Sequence, residues 1–120
     1  MSDTFLAIFL GDKDGARRRE WDALSDDDRR AREMAGMAGW KAWVEKNQAS
    51  LVQMGGPLGK TKRVDKKGYT DTRNEMGAWT IVKAKSQQDA AKLFRNHPHF
   101  MIFPGDRIEV IECLPIPGMQ

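Results

Sequence analysis

The sequence predicts an α+β domain. Three observations carry this: a short strand apolar on both faces, one long helix with a marked start, and a long alternating strand ahead of a second, shorter helix. Phe5-Leu6-Ala7-Ile8-Phe9-Leu10 is the first strand. With no polar side, it must be covered twice, by helices on one face and a second layer on the other. Gly11-Asp12-Lys13-Asp14-Gly15 ends it with turn residues, and the charged stretch to Ala23 reads as a loop with a helical turn around Arg17–Trp21.

Ser25-Asp26-Asp27-Asp28 opens the long helix. The serine can accept a bond from an orphan N–H, and three carboxylates sit at the positive end of the helix dipole. The helix is expected over 26–47. Ala31, Ala35, Ala38 and Ala42 form a small-residue stripe suited to close approach on a sheet. Met37, Trp40 and Val44 form a bulkier stripe, and Trp43 falls off both.

Leu51-Val52-Gln53-Met54 is a second strand, bent or ended by Gly55-Gly56-Pro57. A basic hairpin follows, Leu58–Val64 and Tyr69–Thr72, turning through Asp65-Lys66-Lys67-Gly68. The third long strand is Met76–Lys85, with Trp79, Ile81 and Lys83 on one face and Ala78, Thr80, Val82 and Ala84 on the other. Ser86 caps the second helix, which Pro98 ends. Arg107–Leu114 is the last strand. The order β-α-β-β-α-β predicts a ferredoxin-like antiparallel sheet with helices on one face. The bare face then calls for a second copy of the chain, so a homodimer is expected.

Composition excludes several classes. At 120 residues the chain is one domain, 1–120, and no apolar run approaches the ~20 residues needed to cross a bilayer, so no membrane partner is expected. The single cysteine, Cys113, cannot form an intramolecular disulfide, which fits a cytoplasmic protein. Segment 60–73 carries six cations against two carboxylates, but its one aromatic, Tyr69, makes a poor stacking platform. A solvated hairpin is expected there rather than a nucleic-acid surface. Gly55-Gly56-Pro57-Leu58-Gly59-Lys60 lacks the spacing of a phosphate loop, and no motif calls for a cofactor.

Several residues point to chemistry. His97 and His99 flank Pro98 at the end of the second helix, ahead of Asp106, Glu109 and Glu112. The spacing matches no metal motif, and metal binding is not expected. His97 is the expected acid/base group, with Glu109 or Asp106 as its charged companion. Glu109 shares a strand face with Arg107, Ile111 and Cys113; Arg107, Arg73 or a histidine would balance it if that face were buried. Trp40 and Trp79 are the expected pocket walls, with Arg73 and His99 as further ligand contacts.

Gly55-Gly56-Pro57-Leu58, Asn96-His97-Pro98-His99-Phe100, Pro104-Gly105-Asp106 and the Ile108-Glu109-Val110 element together resemble the YCII-related (DGPF-domain) family, over roughly residues 4–115. That resemblance implies a ferredoxin-like fold pairing into a dimeric α/β barrel and a small organic ligand, with isomerase- or oxygenase-like acid/base chemistry. In some members of that family a histidine on the first helix lies near an aspartate that precedes a proline after the second helix. Here the aspartate position matches His97-Pro98, and the helix, with Met37-Ala38 in the expected region, has no histidine, so that dyad is absent. The alternative is a non-catalytic homodimeric regulatory or protein-interaction module using the basic hairpin and the Met/Trp surface.

Overall fold

The computed structural model describes residues 3–118. Its elements run β1 (Thr4–Leu10), α1 (Ala16–Asp22), α2 (Asp26–Lys46), β2 (Leu51–Pro57), β3 (Thr61–Asp65), β4 (Gly68–Thr72), β5 (Met76–Lys83), α3 (Gln87–Lys92), α4 (Pro98–Met101) and β6 (Arg107–Glu112). Four strands form one antiparallel sheet in the order β2-β5-β1-β6, while β3 and β4 pair only with each other. This is the expected ferredoxin-like arrangement. No helix among the described residues is long and apolar enough to cross a membrane.

The two faces of β1 have different fates. Phe5, Ala7 and Phe9 are buried with Val82, Ala90, Phe94 and Trp43 beneath the helices. Leu6 and Ile8 point the other way, in rows with Ile81 and Ile111 and with Trp79 and Glu109. No helix covers that side. The expected helix starts hold: Ser25 Oγ accepts the Asp28 N–H at 3.1 Å, and Ser86 Oγ accepts that of Asp89 at 3.0 Å.

Three local expectations are corrected. The alanine stripe of α2 does not face the sheet; Ala31, Ala35, Ala38 and Ala42 are all exposed. The packed side is Gly36, Gly39, Trp40, Trp43 and Val44. The closest approach needs no side chain at all: a Cβ on Gly36 would lie 2.4 Å from the Phe103 ring, and one on Gly39 3.0 Å from Pro98. The charged loop contains a full helix, α1, because Trp21 is buried and packs against Phe103. Pro98 begins a helix rather than ending one. Asn96 takes a left-handed φ of 58°, His97 caps α4, and Pro98 fills its first position, where a missing N–H costs nothing.

The β3–β4 hairpin stands apart from the sheet. Apart from Thr61 its residues are exposed, including the cross-strand pair Val64 and Tyr69. The radius of gyration is 16.4 Å, against roughly 14 Å for a compact chain of this length.

Gly55 shows where the backbone is least forgiving. Its φ is +67°, and a Cβ there would lie 1.9 Å from the carbonyl oxygen of Trp79, within the irregular stretch between Gln53 and Gly56. Gly56 has open space around it. Gly55→Ala should therefore cost at least about 2 kcal/mol, combining left-handed strain with a backbone clash. Gly56→Ala should stay within about 0.5 kcal/mol of the parent. Urea unfolding of the two variants side by side checks both values.

Candidate functional site

A cavity of about 640 Å³ opens between α2 and the β2–β5 side of the sheet. Phe9, Ala78 and Thr80 form its floor, Met37, Trp40, Lys41 and Val44 its helical wall, and Met54 to Pro57 its outer edge, with His99 and Phe103 at one end. The volume lies within the range of ligand sites. Its location follows from the packing just described. The two glycines let α2 close on Pro98 and Phe103, while tryptophan rings hold the helix off the sheet. Trp40 stacks on Phe9 with centroids 5.1 Å apart, and Trp43 stacks on Phe94 at 5.0 Å.

The cavity lies on the helix-covered face of a single subunit. The uncovered face, where a pocket between two subunits was expected, carries Leu6, Ile8 and Ile81, none of which lines this cavity; their neighbour Trp79 does.

The two histidines part company. His97 is fully buried and does not reach the cavity. Its ring sits 4.6 Å from Trp40, 5.0 Å from Trp43 and 5.1 Å from Phe9, and those rings line the cavity in its place. Its Nδ1 accepts the backbone N–H of His99 at 3.0 Å, which assigns the proton to Nε2, and Nε2 has no hydrogen-bond partner. The neutral imidazole thus serves as an aromatic ring and a helix cap.

His99 does line the cavity. Its Nε2–H donates to the Leu10 carbonyl at 2.9 Å, and the ring also meets the backbone carbonyl of Arg107. Gly105 seats the ring, since a Cβ there would fall 2.2 Å from the imidazole. Burial pushes its pKa down, partly offset by the carbonyls of Leu10 and Arg107 and the charge of Asp106. An imidazole at the end of the cavity is a group that can exchange a proton with a bound molecule.

The remaining predicted site residues separate from this end. Asp106 sits near His99 but spends Oδ2 on the Asp12 N–H at 2.7 Å. Glu109 is exposed on the uncovered face, paired with Arg107 at 2.8 Å, and so does not join His97. Arg73 is exposed and 3.8 Å from Asp14. Trp40 and Trp79 both contribute to the cavity walls. Phe9, Lys41, Met54, the bulge glycines and Phe103 are walls that sequence reasoning missed. The pair Gly36 and Gly39, one helical turn apart, was the available signal for the packed face of α2. Met37, in the region where the resembling family carries its helix histidine, is a cavity wall.

Among solved structures, the chain is similar to 5-chloro-2-hydroxyhydroquinone dehydrochlorinase (TftG) from Burkholderia phenoliruptrix AC1100, in complex with 2,5-dihydroxybenzoquinone. The match covers 92% of this chain and 93% of that one, with a TM-score of 0.52 and 20% identity. The likeness is one of fold. It supports the ferredoxin-like arrangement. No family model and no curated protein matches the sequence.

Burial, with a smaller contribution from His99, pushes the pKa of His97 down from 6.5 to about 4. The unfolded chain takes up this proton below pH 6.5, whereas the folded protein resists it until about pH 4. The resulting stability is complete above pH 6.5 and falls as the pH drops toward 4, by up to roughly 3 kcal/mol. His97→Phe should flatten that slope, leaving only the share from His99. Denaturant titrations at pH 7 and pH 4.5 measure the difference.

Proposed function

We propose that this is a YCII-related protein that binds a small, flat organic molecule in the cavity beneath α2. The observation that carries the reading is the cavity itself: about 640 Å³, walled by Phe9, Trp40 and Phe103, with one imidazole at its end. Such a chamber favours a ring that can lie against aromatic faces. The quinone bound by the neighbour of similar fold is a molecule of that shape. His99 is the imidazole in this chamber, so acid/base chemistry on the bound ring is the reaction class the site offers.

The homodimer is part of the same proposal. Leu6, Ile8, Ile81 and Ile111 make a continuous apolar strip on a sheet face that no helix covers, and a second copy of that face would bury it. The alternative, a non-catalytic interaction module, has one observation in its favour. The free-standing β3–β4 hairpin exposes Val64 and Tyr69, and a lone two-stranded hairpin is marginal in water without something to pack on.

Two experiments test these statements. The neutral probe 2-naphthalenemethanol should quench tryptophan fluorescence saturably, and Ala78→Phe or Val44→Trp, each filling the cavity, should abolish the effect with circular dichroism unchanged. Absence of saturable quenching by the folded protein removes the ligand-binding reading and leaves the module. Sedimentation should show a dimer at micromolar concentration and a monomer for Leu6→Arg/Ile81→Arg. Because the cavity is built within one subunit, the monomeric variant should bind the probe with the parent's affinity. A parent that sediments as a monomer ends the dimer proposal.

A further inference from the structure

The polar groups around the cavity are nearly all donors, and most are already committed. The Thr80 hydroxyl donates to the Gln53 carbonyl at 2.8 Å, the Trp43 indole N–H to the Leu93 carbonyl at 2.7 Å, and His99 Nε2–H to Leu10 at 2.9 Å. Two side-chain groups on the helical wall have no protein partner among the described residues, the Lys41 ammonium and the Trp40 indole N–H.

Lys41 is the only charged residue in the lining, and no carboxylate is present there. It makes no ion pair among the described residues, although Glu45 lies one helical turn away. A ligand with a cationic group would meet an uncompensated positive charge beside an apolar chamber. A ligand with a negatively charged oxygen would meet an ammonium whose field is strengthened by the low-dielectric walls next to it. The indole N–H of the adjacent Trp40 adds a second donor on the same wall.

We infer that the cavity selects a ring bearing an anionic oxygen group, a carboxylate or an ionised ring hydroxyl, and that Lys41 at the rim is the residue that sets this preference. The inference rests on the ligand-binding reading above and narrows it to a chemical class. Trp40 and Phe9 hold the ring; Lys41 holds its charge.

Two probes of the same ring size separate the inference from the reading beneath it. In the full-length parent, 2-naphthoate should bind roughly tenfold more tightly than 2-naphthalenemethanol, the margin expected of a partly exposed charge-assisted bond. That margin should shrink with added salt. Lys41→Met should bring the ratio of the two affinities close to one, and Lys41→Arg should keep it. Equal binding of both probes by the parent, or a preference that survives Lys41→Met, overturns the inference while the ligand-binding reading stands. Failure of both probes to bind the folded parent overturns the two together.

Discussion

The stack of Trp40 on Phe9 is the contact on which the architecture turns. It joins the middle of the long helix to the central strand through two rings lying 20° from parallel, a separation that aliphatic side chains would not hold open. On one side, glycines let the same helix descend onto Pro98 and Phe103. On the other, where β2 bends away at Gly55, nothing bulky fills the gap. The cavity is therefore a consequence of tilt: a helix pinned close at Gly36 and Gly39 and propped at Trp40 leaves a wedge of space over β5. His97 stiffens the prop, packed against Trp40, Trp43 and Phe9 at once while capping the helix that carries His99.

The strands and the helix starts were legible in the sequence because they depend on neighbours a few residues away. Ser25 and Ser86 cap as their spacing requires, and the alternation of Met76–Lys83 sorts its two faces correctly. What was not legible depends on the third dimension. An alanine stripe and a glycine pair are both small, and only the position of Phe103 decides that the glycines take the contact. The first strand is apolar on both sides, so its pattern could not say which face the helices take. That ambiguity led Glu109 to be placed beside His97, although the two lie on opposite sides of the sheet. The histidines posed a similar problem. Two imidazoles separated by one proline look equivalent in a sequence. The left-handed Asn96 and the helix start at Pro98 turn one inward as a cap and leave the other at the cavity.

Because β1 divides its side chains between two faces, the proposed ligand site and the proposed dimer surface are built on separate sides of one strand. Phe9 belongs to the cavity floor, while Leu6 and Ile8 belong to the uncovered face. Coupling between the two would have to pass through the strand pair itself. Trp79 stands at that junction. It pairs with Ile8 on the uncovered side, and its carbonyl occupies the space a Cβ on Gly55 would need at the cavity's outer edge. A partner packing on the Trp79 side of the sheet would bear directly on the bulge that shapes the cavity's mouth. The irregular, glycine-rich form of β2 thus sets the border of the sheet at the point where its two surfaces come nearest. A regular strand there, paired along its full length with β5, would close the mouth and leave the aromatic floor as ordinary core.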